Sequence, residues 1–242
     1  MEQIQNNRVI TDLYRENAQF PGIALDGSDV YLCWQRFVDR HDSLMASCRR
    51  GDEVVWEREI SDGGEVLHPV ILAHGGAIWY AWSEYARENW RILARCYRDG
   101  QWGEVLTVAS GEALFFPRLF TWQGKLHVIW TEQHKGSAAA VLCPLTEAGP
   151  GAAETVSAVG EAYRAGAAEG GDGNLYVAYD GFDGKQYKLF ARARTAAGWS
   201  EEIVVSQGED WASPPWIAAK PDGAVVGWYD YGYMAVYSVR SA

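Results

Sequence analysis

Long apolar runs are missing from this chain of 242 residues, which contains no stretch of about eighteen apolar residues that would predict a membrane-spanning helix. The first residues, MEQIQNNRVI, lack the basic and apolar segments of a signal peptide, so we expect a cytoplasmic protein without a membrane partner. Basic residues are also scarce. With 21 Lys and Arg against 32 Asp and Glu, the net charge of −11 argues against nucleic acid as a partner.

Cysteine is rare as well, with four in the chain. Cys48, Cys96 and Cys143 follow one another at 48 and 47 residues, a spacing that predicts equivalent places in successive structural repeats, too far apart for disulfides. We therefore expect small buried thiols. CxxC pairs, His-Cys clusters, GxSxG, GxGxxG and GxxxxGK[ST] are all missing, and no metal or cofactor is predicted.

What the sequence does contain is a repeat of about 48 residues. Prolines mark it at Pro21, Pro69 and Pro117, and Ala165 and Pro215 continue the series. A second series consists of aromatic residues spaced 48 or 49 apart, namely Trp34, Trp82, Trp130, Tyr179 and Trp228. Both series of residues therefore mark five successive repeats of the same length.

Each repeat has the pattern of four short strands, without helical periodicity. An apolar stretch follows the proline (VILAH, 70–74), and a second strand ends on the marker aromatic (KLHVIW, 125–130). A third strand (RILARCY, 91–97) leads through a Gly-containing turn into a fourth (WGEVLTVAS, 102–110). Four antiparallel strands per module of this length predict an all-β fold, a five-bladed β-propeller.

The two ends of the chain predict how the ring closes. The fifth repeat reaches only its third strand, MAVYSVR, whereas NRVITD at 7–12 matches a fourth strand. We therefore expect the N-terminal strand to complete the last blade and to remove an open sheet edge. The prediction is one domain, 1–242, with blades at about 21–64, 69–112, 117–160, 165–208, and 215–242 together with 7–12.

Over essentially the whole chain, the repeat resembles those of five-bladed propellers in the broad sialidase-like and tachylectin-like group. The turns RDGQW (98–102) and AAGW (196–199) are similar to the Gly-x-Trp hairpins of such repeats. The Asp-box of sialidases, Ser-x-Asp-x-Gly-x-Thr-Trp, is not matched. In blade number the chain also resembles arabinanase-type glycosidases, but it lacks the Asp beside Pro21 that begins their first blade. The resemblance implies the fold and leaves the chemistry open.

Five glutamates precede the first strands at equivalent places, namely Glu16, Glu65, Glu112, Glu161 and Glu209. They could form a ring of carboxylates around the channel that holds a cation or sugar hydroxyls. Alternatively, each one accepts backbone N–H bonds in its own turn. We favour the second interpretation because five close carboxylates would repel one another.

Residues that differ between blades are better candidates for a unique ligand site. In a propeller, the loops between blades and the loops between second and third strands surround one mouth of the channel. Aromatic faces there can cover the C–H surfaces of a sugar, while guanidinium and carboxylate groups bind its hydroxyls. The predicted ligand-binding residues are Trp211, Tyr163, Arg164, Trp90, Arg36, His68, Asp180 and Tyr229. We therefore predict a carbohydrate-binding propeller with one site at the channel mouth.

Two alternatives stay open. A glycoside hydrolase or polysaccharide lyase would need paired carboxylates, for which Glu84, Glu132 and Asp230 are the catalytic candidates. A protein-interaction platform would need neither. The identity of the ligand and the oligomeric state do not follow from the sequence.

Overall fold

A computed structural model describes residues 17–61, 63–158, 160–206, 214–230 and 233–239. The described residues form 22 strands joined by turns, with no helix among them. Accordingly, these ranges contain no helix long and apolar enough to cross a membrane.

The strands group into five antiparallel sheets that follow one another along the chain. The first sheet comprises β1 (Asn17–Asp26), β2 (Asp29–Val38), β3 (His41–Arg50) and β4 (Glu53–Glu59). The second comprises β5 (Glu65–His74), β6 (Ala77–Ala86), β7 (Asn89–Arg98), β8 (Gln101–Trp102) and β9 (Leu106–Gly111). The third comprises β10 (Ala113–Trp122), β11 (Lys125–His134), β12 (Ser137–Thr146), β13 (Gly149–Pro150) and β14 (Glu154–Thr155).

The last two sheets repeat this order. The fourth comprises β15 (Ala162–Glu169), β16 (Leu175–Phe182), β17 (Tyr187–Thr195), β18 (Gly198–Trp199) and β19 (Ile203–Val204). The fifth comprises β20 (Trp216–Lys220), β21 (Gly223–Asp230) and β22 (Tyr233–Val239). Each first strand pairs with the second strand, and the second pairs with the third, so every sheet is a meander.

The outer strand of the second sheet is interrupted, although WGEVLTVAS predicts one continuous strand. Residues 103–105 leave the ladder between β8 and β9, both of which pair with β7. Arg95 Nε donates to the Gly103 carbonyl at 2.8 Å, and Gly103 N–H donates to the Cys96 carbonyl at 2.9 Å. The side-chain bond replaces part of the ladder and holds the break in place.

The five sheets are the blades of a β-propeller, as predicted. First strands contact one another in sequence, from β1 to β5, β10, β15 and β20, and so surround the central axis. The segment 7–12, predicted to complete the fifth blade, lies outside the described residues.

The marker aromatics are buried in the structure. Trp82 is fully buried against Tyr31 and Leu44 of the first blade, and Tyr179 is fully buried against Phe120 of the third. Burial of a large side chain contributes on the order of 2–3 kcal/mol, so Trp82 and Tyr179 each join their blade to the preceding one. The four cysteines are buried free thiols, also as predicted.

Candidate functional site

A β-bulge interrupts the first strand of each of the first four blades. The register shifts lie between Gln19 and Gly22, Leu67 and Val70, Phe115 and Arg118, and Tyr163 and Gly166. The marker proline therefore lies inside the first strand, whereas the sequence placed it just before that strand. A bulge tolerates proline because the extra residue needs no ladder hydrogen bond.

The residue before each of these marker positions has a left-handed backbone. The residues are Phe20 (φ 51°), His68 (φ 53°), Phe116 (φ 55°) and Arg164 (φ 36°). Large side chains rarely adopt this conformation, which costs on the order of 1–3 kcal/mol and recurs at functional sites. In four blades the fold thus keeps a strained residue at the same height on the axis.

These residues line a cavity of about 360 Å³ on the propeller axis. All five blades contribute to its lining, which consists of Phe20, Pro21, His68, Pro69, Val70, Phe116, Pro117, Arg118, Arg164 and Pro214. No carboxylate is among these described residues, which combine aromatic rings with two guanidinium groups. We call this space the axial cavity.

Three aromatic rings from adjacent blades form one side of the axial cavity. The His68 ring lies 4.9 Å from Phe20, edge to face, and 4.2 Å from Phe116. Burial, helped by nearby Arg118, lowers the pKa of His68 to about 4, so the imidazole is neutral at pH 7. Its buried Nδ1 has no hydrogen-bond partner among the described residues. The three rings therefore present a neutral aromatic surface.

Arg164 is held in place by a buried carboxylate behind it. Its Nε donates to both oxygens of Asp180 at 3.1 Å, and its Nη2 pairs with Asp180 Oδ2. The backbone N–H of Arg164 donates to Thr131 Oγ1 at 3.1 Å. Burial raises the pKa of the Asp180 carboxyl above its usual range, although Arg164 acts against this. Arg164 is thus positioned in the cavity with its charge compensated.

Arg118 lies in the same cavity without a counter-charge. No hydrogen bond or ion pair joins it to any part of the chain that the structure describes. Its side chain reaches solvent in the channel, yet surrounding protein desolvates it and lowers the pKa of its guanidinium below its usual value. The axial cavity therefore carries an uncompensated positive charge in a chain of net charge −11.

The structure brings together only part of the predicted ligand site. His68 and Arg164 line the axial cavity, and Asp180 orients Arg164. Trp90 lies on the second blade, with its ring 4.6 Å from Phe115, the neighbour of Phe116. Of the predicted ligand-binding residues, His68 and Arg164 thus line this cavity, and their binding of a ligand stays a prediction.

Three other predicted residues lie away from the cavity lining. Arg36 donates to Ser43 and pairs with Glu59, both at 3.3 Å. Tyr163 packs at 5.9 Å against Tyr187 on its own blade, and Tyr229 is half exposed beside Trp216 on the fifth. Trp211 lies outside the described residues.

The catalytic candidates Glu84 and Glu132 have different environments despite their equivalent positions. Glu84 is fully buried and accepts hydrogen bonds from Arg91 Nη2 at 2.5 Å and from the Trp82 indole at 3.1 Å. Glu132 is exposed and lines a separate cavity of about 520 Å³ on the third blade. Asp230 ends β21, and its side chain lies outside the description. Neither described carboxylate lines the axial cavity.

The interblade glutamates do not act uniformly. Glu112 Oε2 lies 3.1 Å from His134 Nδ1 and accepts the Lys135 N–H at 3.5 Å, so it supports a turn of its own blade. Glu65 is exposed at the start of β5, and Glu161 forms a bridge to Ala138. Glu16 and Glu209 fall outside the described ranges. In the described part of the chain, no three His, Cys, Asp or Glu side chains are grouped to hold a metal ion.

Arg118 is the residue that sequence reasoning missed. It lies two positions after the residue with left-handed backbone, where the other blades have Gly22, Val70, Gly166 and Trp216. The signal was present in the repeat, since only one blade has a charge at this position. The meaning of this charge could not be inferred without knowing that the first strand begins before the proline.

Comparison with solved structures finds the same architecture, although no family model and no curated protein matches the chain. An endo-arabinase from Bacteroides thetaiotaomicron VPI-5482 is 10% identical, with a TM-score of 0.57 over 92% of this chain and 94% of that one. The catalytic domain of a GH62 α-L-arabinofuranosidase from Coprinopsis cinerea is 7% identical, with a TM-score of 0.53 over 96% and 90%.

A third similar structure is Zg3597, a family 117 glycoside hydrolase produced by Zobellia galactanivorans. It is 12% identical, with a TM-score of 0.52 over 92% of this chain and 83% of that one. At such identities, the likeness establishes the propeller fold and does not extend to the chemistry.

Proposed function

We propose that this propeller binds a carbohydrate in the axial cavity. The observation that carries the proposal is the convergence of Phe20, His68 and Phe116 with two arginines in one cavity of about 360 Å³. This volume lies within the range of about 300–1,000 Å³ that is usual for small-molecule sites. Aromatic faces bind the C–H surface of a sugar ring, and guanidinium groups donate to its oxygens. The similar structures named above are of proteins that act on carbohydrates, which supports the same ligand class.

The differences between blades favour one site over several. Four equivalent positions carry three different side-chain types, namely Phe20 and Phe116, His68, and Arg164. A multivalent lectin of the tachylectin-like kind would be expected to repeat its contact residues in each blade. We therefore propose a single site on the axis and keep the sialidase-like and tachylectin-like resemblance as a statement about the repeat.

Two phenylalanines of equal exposure provide the test. Phe20 and Phe37 are both 42% exposed, but only Phe20 lines the axial cavity. Calorimetric titration with a panel of mono- and oligosaccharides should detect binding that Phe20→Ala weakens about tenfold and Phe37→Ala leaves unchanged. An absence of binding to every sugar at millimolar concentration would contradict the proposal.

A glycoside hydrolase is the second candidate, and the kind of protein represented by the similar structures favours it. Hydrolysis requires two carboxylates on either side of the bond, whereas the described lining of the axial cavity contains none. The catalytic proposal therefore depends on Glu132, on Asp230 or on Asp180, the buried partner of Arg164. Release of reducing sugar from arabinan, abolished in Glu132→Gln, Asp230→Asn or Asp180→Asn, would support it. Activity that survives all three changes would remove these assignments.

A further inference from the structure

The starting point is the unpaired guanidinium of Arg118. Arg164 is compensated by Asp180, and His68 is neutral at pH 7, so the charge of Arg118 is the net charge of the described cavity lining. Arg118 is exposed, so water solvates its guanidinium in the free protein, and no described side chain pairs with it. An anionic group of a ligand would supply the missing partner.

We propose that the axial cavity binds an acidic sugar, a hexuronate, whose carboxylate pairs with Arg118 and whose ring packs on Phe20, His68 and Phe116. This inference rests on the proposed carbohydrate-binding function and names its ligand class. A planar guanidinium binds a carboxylate through two parallel hydrogen bonds, a geometry that neutral hydroxyls do not match. A neutral sugar would leave Arg118 unpaired, and a small inorganic anion would leave the aromatic surface uncovered.

A row of aromatic side chains leads from the cavity toward the edge of the second blade. Phe116 lies 6.1 Å from Phe115, Phe115 lies 4.6 Å from Trp90, and Trp90 lies 5.3 Å from the 36% exposed Tyr85. Ring spacings of 4.5–7 Å make a continuous aromatic surface. Further units of an oligosaccharide would stack along this row, so an oligouronate should bind more tightly than a monomer.

Titration with matched pairs of sugars tests the proposal. Galacturonate and galactose share one ring and differ at the carboxylate, as do glucuronate and glucose. At low ionic strength we expect at least one acid to bind about tenfold or more tightly than its neutral partner. Arg118→Gln should remove this difference, whereas Arg118→Lys should keep part of it.

Two further variants locate the effect. Arg50→Gln removes an arginine that pairs with Asp29 at 2.7 Å on the first blade, and it should leave both affinities unchanged. Trp90→Ala should weaken binding of trigalacturonate several-fold without affecting the monomer. Thermal unfolding checks the fold, and Arg118→Gln should unfold at about the same temperature as the original chain because Arg118 is exposed.

Each outcome is decisive. If neither acidic nor neutral sugars bind at millimolar concentration, the proposed function fails and the inference fails with it. If neutral sugars bind and Phe20→Ala weakens them, but acids have no advantage or Arg118→Gln leaves that advantage intact, only the inference is overturned. Acetate or inorganic phosphate binding as tightly as the uronate would also overturn it, since the site would then recognise a simple anion.

Discussion

The buried carboxylate of Glu84 offers a direct test of whether this residue holds the blade together. It has no exposed surface and pairs with Arg91, which is 30% exposed, while its second oxygen accepts the Trp82 indole N–H at 3.1 Å. The fit is close on the remaining side, because a Cβ at Gly64 would lie 2.5 Å from Glu84 Cγ. We predict that Glu84→Ala strongly destabilises the fold.

The expected magnitude follows from these contacts. Removing one member of a buried ion pair costs about 3–5 kcal/mol, since the other charge and the indole N–H lose their partner. For a chain of this size, 1 kcal/mol corresponds to about 2–4 °C, so the melting temperature should fall by roughly 6–20 °C. Glu84→Gln keeps the shape and one acceptor oxygen and should cost about 1–3 kcal/mol.

Chemical denaturation and thermal unfolding followed by tryptophan fluorescence would measure these changes. Glu132→Gln is the matched control, because the same residue type at the equivalent strand position is exposed and should change stability by less than about 0.5 kcal/mol. If Glu84→Ala and Glu132→Gln were equally stable, the assignment of Glu84 to a stabilising ion pair would be refuted.

Three further outcomes are expected. His68 has a pKa of about 4 in the folded chain against an ordinary value of 6.5, so its contribution to stability is present above pH 6.5 and is lost as the pH falls toward 4. The free energy of unfolding should change by at most about 3 kcal/mol. Denaturant midpoints of the original chain and of His68→Gln, measured across this pH range, should differ accordingly. Gly22→Ala should destabilise, because its Cβ would lie 2.8 Å from Cys33 Sγ and 3.0 Å from Ile71 Cγ2, and an unchanged unfolding midpoint would contradict this. The four thiols should react with a disulfide reagent only after unfolding, because they are buried and burial raises the pKa of Cys33 to about 12; rapid labelling of the native protein would argue against that packing.

The fold could be predicted from the sequence because side chains at equivalent positions are buried in successive blades. Trp34, Trp82 and Trp130 fill equivalent buried positions, so their spacing along the sequence gives the length of the repeat directly. The start of the first strand of each blade was harder to predict. Proline usually marks a strand boundary, and only the ladder on both sides reveals that Pro69 and Pro117 lie in bulges.

The site was harder to predict because equivalent positions have different cross-strand neighbours. Glu84 lies opposite Arg91, so it is buried as an ion pair, whereas Glu132 lies opposite Ala139 and stays in solvent. One period relates both glutamates and their cross-strand partners, but the partner is an arginine in one blade and an alanine in the other, and this difference decides what each glutamate does. Arg118 stands out in the repeat as the one charged residue at its position, but its place in the cavity depends on residues of other blades around the axis.

The bulges have a consequence for how this chain could acquire new specificities. Phenylalanine, histidine and arginine all occupy the same left-handed backbone in different blades, so the hydrogen-bonded strands on both sides, and not the side chain, maintain that conformation. Exchanging one residue there changes the wall of the cavity without rebuilding a loop. A combinatorial library restricted to positions 20, 68 and 116 would therefore vary recognition while leaving the scaffold intact, whereas replacing Arg164 would leave the buried Asp180 carboxylate without its partner.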